Sequence, residues 1–228
     1  MKLSISMTRR ETLLGWSYLL ISLFVLPFAL ALLNGFLKNP LSATEINLVF
    51  TGLNFIIVAA IFHRFLIASI GIVKEKPWHC LRFALFGFAL YYLASLVFSF
   101  AVGWLYPDFS NVNDGAVMDL FQEYPTLMAL STIFLVPITE ETLYRGLLFQ
   151  GLHHKSRLLA YAISTLVFAS IHVMGYIGLY DFVTLCLCFI QYLPAGIALA
   201  WAYEKSDTIL APILMHITIN QIGVSVMR

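Results

Sequence analysis

The chain contains the stretch Pro137-Ile-Thr-Glu140-Glu141-Thr-Leu-Tyr-Arg145-Gly146, in which two adjacent carboxylates and an arginine lie inside an apolar run from about 127 to 152. A run of this length can cross a bilayer as one helix. Ionisable side chains at that depth are costly and face a protein interior or a wet cavity. Helical spacing lets Glu141 pair with Arg145 and leaves Glu140 without a local partner. We therefore predict a structural role for Glu141 and a chemical role for Glu140.

The composition of the whole chain indicates a helical protein of the lipid bilayer. Of the 228 residues, 61% are hydrophobic and only 11% are charged, and the mean hydropathy is +0.88. A soluble domain is nearer half apolar and a quarter charged. The net charge of +1 says nothing about nucleic acid, but no basic cluster resembles an electrostatic footprint, so we predict no nucleic-acid partner. Three cysteines, an odd number in or beside apolar segments, argue against a disulfide framework.

Apolar segments of about 18 to 28 residues predict an all-α polytopic fold, a bundle of about seven transmembrane helices with a polar cavity near the middle of the membrane. The predicted spans are Leu13–Phe36, Ile46–Val73, Leu81–Tyr106, Leu127–Leu152, Leu158–Met174, Phe182–Tyr203 and Ile209–Val226. Pro137 in the fourth span and Pro194 in the sixth predict kinks that free backbone groups. Such breaks are tolerated in membranes where the freed section lines a cavity.

The basic residues predict the orientation of the bundle. With the amino terminus inside, every lysine and arginine except Lys38 and Arg228 lies at or near the cytoplasmic side. The loop Pro107–Pro125 contains four acidic residues and no basic one, which fits the outer face. We therefore predict a multi-pass protein of a plasma membrane, with a cytoplasmic amino terminus and an external carboxyl terminus.

Two further predicted spans carry polar side chains four residues apart. The fifth span contains Phe168-Ala-Ser-Ile-His172 and the seventh contains His216-Ile-Thr-Ile-Asn220, so each pair lies on one helix face. At about 1.5 Å per residue, these polar groups, together with Glu140, lie roughly 14 to 22 Å from the inner surface. A hydrocarbon core is about 30 Å thick. Polar groups from three spans near one depth predict a shared cavity.

This set of groups is suited to hydrolysis. A carboxylate and a neutral histidine around one water can act as a general base for attack on a carbonyl. A second histidine and an asparagine amide are donors suited to a developing oxyanion. No spacing places a serine or cysteine with them, so we predict water as the nucleophile. Two glutamates and two histidines could alternatively ligate zinc, although the motif HExxH is absent.

Taken together, the polar motifs resemble the three signature motifs of the CPBP family. This family comprises the CAAX-prenyl-protease and bacteriocin-processing intramembrane proteases and is also called the Abi family. The resemblance covers about 127–221, and its motifs are Glu140-Glu141-Thr-Leu-Tyr-Arg145-Gly146, Phe168-x-x-x-His172 and His216-x-x-x-Asn220. It implies an intramembrane endopeptidase that cleaves a peptide or membrane-protein substrate within the bilayer.

The resemblance also implies a role for each matching residue. Glu140 and His172 match the residues thought to activate water. His216 and Asn220 match those thought to hold the oxyanion. The site-shaping residues would be Glu141, Arg145 and Phe168. The family is catalogued as metalloproteases, but a metal-free glutamate mechanism has also been argued for it, so zinc or no metal remain alternatives.

If an ion is bound, its candidate ligands are Glu140, His172 and His216. The chain is short and has seven apparent spans where prenyl-processing members tend to have eight. We therefore favour the bacterial branch, with a role in bacteriocin maturation, self-immunity or regulation of a membrane sensor. For the domain organisation we predict one integral membrane domain over 1–228, with a protease core at 127–221 and three accessory helices in 1–106.

Two other functions fit parts of the sequence. The first is a non-catalytic immunity or scaffold protein that binds a peptide or sensor, although a binding protein has no need of an unpaired Glu140. The second is a transporter, which would also carry ionisable groups at mid-depth. Transporters usually contain internal repeats, and none is visible in this sequence.

Overall fold

The computed structural model of the protein describes residues 3–226, which form an all-helical polytopic fold, as the sequence predicts. The helices in this range are α1 (Arg9–Gly35), α2 (Ala43–Ile61), α3 (His63–Glu75), α4 (Pro77–Leu105), α5 (Val112–Leu120), α6 (Pro125–His153), α7 (Arg157–Ile171), α8 (Phe182–Ser206) and α9 (Leu210–Val226). Helices α1, α2, α4, α6 and α8 are long and apolar enough to cross a membrane. Helices α7 and α9 are apolar but shorter, with 15 and 17 residues.

The second predicted span, Ile46–Val73, is wrong as a single helix. Helix α2 ends at Ile61, and α3 begins at His63 after Phe62, whose backbone leaves the helical region at φ −101° and ψ 18°. A new helix start exposes backbone N–H groups that have no partner within the helix. The carboxylate of Glu11 in α1 accepts one of them, from Phe65, at 2.9 Å.

Glu11 therefore joins two helix starts. Its other oxygen accepts hydrogen bonds from the backbone N–H and the hydroxyl of Thr8, at 2.8 and 2.7 Å, in a capping box at the start of α1. The side chain is buried, with 3% of its surface exposed. A buried carboxylate that accepts three hydrogen bonds holds α1 against α3.

Replacing Glu11 with alanine should lower the free energy of unfolding by about 1–3 kcal/mol, because buried donors lose their acceptor. The matched control is Glu45→Ala. Glu45 forms the same capping box with Ser42 at the start of α2, but without a bond to the backbone of another helix. Thermal unfolding in detergent should show a larger loss for Glu11→Ala. Equal losses would show that the link to Phe65 contributes nothing.

One face of the bundle gathers the amino-terminal segment and the connections near it. The Asp207 carboxylate, in the turn between α8 and α9, accepts hydrogen bonds from the backbone N–H of Ser4, at 2.7 Å, and from its hydroxyl. The ring of His79, near the start of α4, lies 3.2 Å from the carbonyl of Lys205 at the end of α8. These contacts place the starts of α1, α4 and α9 on the same side.

The opposite face carries the acidic segment. The hydroxyl of Ser42, before α2, donates to the Glu123 carboxylate at 2.5 Å, and Thr44 donates to the carbonyl of Leu120 at 3.2 Å. The segment 107–125 therefore lies across the bundle from the amino-terminal segment. Which of the two faces is cytoplasmic stays a prediction from the basic residues.

The two prolines have different effects on their helices. Helix α6 contains two π-helical segments, Ser131–Leu135 and Thr142–Phe149, on either side of Val136–Glu141. The disturbance that Pro137 predicts is therefore present. Helix α8 continues as one helix through Pro194, and the kink predicted there stays a prediction.

Candidate active site

A cavity of about 630 Å³ lies inside the bundle, with walls from every helix except α1 and α3. The four predicted catalytic residues line it: Glu140 from α6, His172 at the end of α7, and His216 and Asn220 from α9. The structure thus brings together side chains separated by as many as 80 residues along the chain. The shared cavity predicted from their similar depth is present.

Glu141 does not face this cavity but lies fully buried behind it. Its Oε1 accepts from Arg145 Nη1 at 3.1 Å and from His216 Nδ1 at 2.8 Å. The spacing of the sequence predicts the pairing with Arg145, but it gives no sign of the bond to His216. Since an ionised carboxylate only accepts hydrogen bonds, Nδ1 of His216 carries a hydrogen, and its Nε2 remains available to other groups.

Arg145 is also fully buried, and its partners come from three helices. Its Nη1 donates to Glu141, and its Nη2 donates to the backbone carbonyl of Gly196 in α8 at 3.2 Å. The guanidinium carbon lies 4.3 Å from the ring centre of Phe168 in α7, within the range of a cation–π contact. Of the predicted site-shaping residues, Arg145 therefore contacts both Glu141 and Phe168.

Gly196, whose carbonyl accepts from Arg145, lies where α7 and α8 approach each other closely. A Cβ atom added at Gly196 would lie 2.8 Å from Thr165 Cγ2 and 3.1 Å from Thr165 Cα. Only glycine leaves the helices this close without displacement of a neighbour. The same glycine exposes its carbonyl to the guanidinium.

Replacing Gly196 with alanine should therefore destabilise the protein, by about 1–3 kcal/mol as in other overpacked sites. The additional change Thr165→Ser removes Cγ2, the nearest clashing atom, and should recover part of the loss in thermal unfolding. Gly103→Ala, at a position with no atom within 4 Å of the added Cβ, should not destabilise the protein and serves as the control. If Gly196→Ala has no larger effect than Gly103→Ala, the packing argument is wrong.

Glu140 differs from its neighbour in having no partner. Its Oε2 is buried without a hydrogen bond within the described residues, and so is the hydroxyl of Thr139. Glu140 also borders a second cavity of about 90 Å³ toward α1 and α2. Of the two adjacent glutamates, Glu141 is held by two donor groups, whereas Glu140 has no hydrogen-bond partner in the described part of the chain.

His172 is held in one orientation. Its Nδ1 lies 2.8 Å from the carbonyl of Phe168, one helical turn earlier. A carbonyl accepts but cannot donate, so Nδ1 carries the hydrogen and the neutral ring presents the lone pair of Nε2. The ring also stacks on Tyr192 of α8, with ring centres 4.2 Å apart and planes 24° apart. No sequence motif marks Tyr192, which is one of 11 tyrosines.

Asn220 reaches the irregular backbone of α6. Its amide nitrogen donates to the carbonyl of Thr132 at 2.8 Å. In the π-helical segment Ser131–Leu135, the N–H of Val136 bonds to the carbonyl of Ser131. The next N–H in this pattern would come from residue 137, which is proline and has none. Asn220 therefore bonds to a carbonyl that Pro137 leaves without a helical partner, and its second amide hydrogen remains available.

The donor types of a metal site are present in the cavity, but they do not lie close enough together to share one ion. Glu140 and the two available imidazole nitrogens of His172 and His216 are groups that zinc accepts. Among residues 3–226, no three or more His, Cys, Asp or Glu side chains are placed to hold one ion.

Comparison with known proteins gives two matches. Residues 122–222 match the family described as Type II CAAX prenyl endopeptidase Rce1-like. The chain is also 29% identical over 109 residues to "Putative membrane peptidase YdiL" of Bacillus subtilis (strain 168), a match that covers 47% of this chain. The chain thus spans only 40% of the length of that relative. No solved structure matches the chain significantly.

The matched segment contains all three motifs and every residue of the predicted site. Its helices also supply Glu140, His172, His216 and Asn220 to one cavity. Residues 122–222 are thus similar to the Rce1-like type II CAAX prenyl endopeptidases, and this match supports the resemblance of the three motifs to the CPBP family.

Proposed function

We propose that the protein is an intramembrane endopeptidase that hydrolyses a peptide bond with water activated by Glu140 and His172. The observation that carries the proposal is the convergence of two histidines, an asparagine and an unpaired glutamate on one cavity inside apolar helices. The family description and the printed name of the relative, both of peptidases, support it.

In the proposed reaction, a water molecule lies between the carboxylate of Glu140 and Nε2 of His172. Glu140, as the general base, accepts a proton from this water while the water oxygen attacks the scissile carbonyl carbon. The carbonyl oxygen becomes an oxyanion that accepts hydrogen bonds from Nε2–H of His216 and from the free amide hydrogen of Asn220. When the C–N bond breaks, the proton moves from the base to the leaving amine.

Glu141 acts in this scheme through His216. Its carboxylate bonds Nδ1 of the ring, so the ring is oriented and a positive charge on it is stabilised. An imidazolium donates from both nitrogens, and the second donor can bind the oxyanion. Arg145, which lies against the ring of Phe168, holds Glu141 in place from the other side.

We further propose that residues 127–221 form the protease core and that the accessory part lies within 1–106, where the three predicted spans correspond to the four helices α1 to α4. Residues of α2 and α4 line the same cavity as the catalytic groups, so the accessory helices close one wall of it. The substrate is a membrane-embedded or membrane-delivered peptide, and the cell is bacterial. The reaction would serve bacteriocin maturation, self-immunity or sensor regulation.

The decisive experiment compares peptide termini in membranes that contain the wild-type protein or its Glu140→Gln variant at equal level. A terminus found only with the wild type would identify both the substrate and the cleaved bond. If no terminus differs and the biological effect survives the substitution, the protein is a binding or scaffold protein, which has no need of the carboxylate.

A further inference from the structure

Helix α5 (Val112–Leu120) forms one wall of the active-site cavity although it is too short to cross the membrane. It lies in the acidic segment between α4 and α6. Four of its residues line the cavity: Asn113, Asp114, Val117 and Leu120. Since α5 is not anchored as a spanning helix, its position depends on the side-chain contacts that it makes with the bundle.

These contacts centre on Tyr192 of α8. The Tyr192 hydroxyl donates to Asp114 Oδ1 at 3.2 Å and accepts from the amide nitrogen of Asn113 at 3.0 Å. A second bond runs beside it, from the amide nitrogen of Asn111 to the side-chain oxygen of Gln191 at 3.0 Å. The polar side of α5 is therefore attached to two successive residues of α8.

An apolar contact lies next to this network. Val112, the first residue of α5, packs against Cys188 of α8 and Val173, which follows α7. All three are buried, and Cys188 has no exposed surface. Movement of α5 away from α8 would uncover the Cys188 thiol.

Tyr192 also contacts the catalytic side of the cavity. Its ring stacks on the ring of His172 at 4.2 Å. With only the hydrogen bond from its Nδ1 to the Phe168 carbonyl, the His172 ring could still rotate about that bond. The stacked ring of Tyr192 restricts this rotation. One tyrosine thus touches both the proposed catalytic histidine and the helix that covers the cavity.

We propose that Tyr192 is a positioning residue whose ring orients His172 and whose hydroxyl holds α5 closed as a lid over the active site. The proposal rests on the proposed function for its catalytic part, since His172 is the residue being oriented. The lid part stands on the contacts of α5 alone. A peptide that enters past α5 would break the hydroxyl bonds while the ring stays against the histidine.

Two variants separate the functions of the ring and the hydroxyl. Tyr192→Phe keeps the ring and removes the hydroxyl, whereas Tyr192→Leu removes both. On a peptide that the wild type cleaves, Tyr192→Phe should lower kcat much less than Tyr192→Leu does, because the ring against His172 remains. Tyr192→Leu should lower kcat by roughly 10²-fold, the effect of misplacing a catalytic group by about 1 Å. A wild-type kcat in Tyr192→Leu would overturn the positioning role.

The lid is tested by labelling of Cys188 in a protein that also carries Cys80→Ala and Cys186→Ala, which leaves one thiol. Both Tyr192 variants should label faster with a water-soluble maleimide than the parent. Tyr106→Phe, the same change at an exposed tyrosine outside the cavity, should not. Unchanged labelling in Tyr192→Phe would show that the hydroxyl does not hold α5.

Both parts remain testable if no cleavage is found. The labelling does not depend on activity. Nuclear Overhauser contacts between the His172 ring and its other neighbours should change in Tyr192→Leu and be kept in Tyr192→Phe, which tests the orientation of the ring. A protein that shows both effects but cleaves no peptide would contradict the proposed function and leave the placement of Tyr192 intact.

Discussion

Replacing Glu140 with glutamine should lower kcat/KM for peptide cleavage by roughly 10²–10⁴-fold, the contribution expected of a general base. Glutamine has nearly the same shape but cannot accept the proton from water at neutral pH. The substitution removes no hydrogen bond to another residue, because Oε2 of Glu140 has no partner within residues 3–226. The loss of rate should therefore occur in a folded protein.

The measurement combines steady-state kinetics with thermal unfolding of the same purified samples. We expect the unfolding midpoint of Glu140→Gln to equal or exceed that of the wild type, because a buried carboxylate without a partner costs free energy. A large drop in kcat/KM at unchanged stability would support a chemical role. Cleavage at the wild-type rate would contradict the mechanism, whatever the stability of the variant.

Much of the candidate site can be predicted because its signals are local. Glu141 and Arg145, Phe168 and His172, and His216 and Asn220 are each four residues apart on a helix, so one-dimensional spacing gives their common face. Ionisable groups in apolar spans stand out from their surroundings. The meeting of the three motifs follows from their similar depth, without knowledge of which helices are neighbours.

The partners that complete the site cannot be predicted in the same way, because they lie far away in sequence. Gly196 accepts from Arg145 across 51 residues, and Thr132 accepts from Asn220 across 88. A backbone carbonyl has no residue type that would mark it. Tyr192 resembles any other aromatic residue of a membrane helix until its ring is seen against His172.

The division of the second predicted span could not be predicted either, because the group that accompanies it is also far away in the sequence. The sequence around Phe62 contains neither proline nor glycine, and its apolar character continues to about residue 73. A hydropathy profile therefore predicts one long span. The acceptor for the new helix start is Glu11, which lies 54 residues earlier than Phe65. A bond between distant segments, rather than a local breaker, accompanies the end of the helix.

Replacing Glu141 with glutamine should have the opposite effect to the same change at Glu140, a loss of about 3–5 kcal/mol in the free energy of unfolding. This is the usual cost of removing one partner from a buried ion pair. Arg145 has no exposed surface, and Glu141 is its ion-pair partner at 3.1 Å. Glutamine could still accept a hydrogen bond, but it would leave the guanidinium charge uncompensated among apolar helices.

The two glutamine variants are matched in chemistry and adjacent in sequence, so thermal unfolding in one detergent compares them directly. Glu141→Gln should unfold well below Glu140→Gln. The double variant Glu141→Gln/Arg145→Met should recover part of the loss, since a buried pair replaced by apolar groups is often neutral in stability. Recovery in the double variant would show a coupling between the two sites.

Restored stability should not restore cleavage. Glu141 also accepts the bond from Nδ1 of His216 at 2.8 Å, and neither glutamine nor methionine supplies the charge that stabilises an imidazolium there. The double variant should therefore be folded and slow. A stable Glu141→Gln protein would show that Arg145 finds compensation elsewhere. A fast double variant would show that His216 needs no carboxylate, and the proposed oxyanion donor would then be wrong.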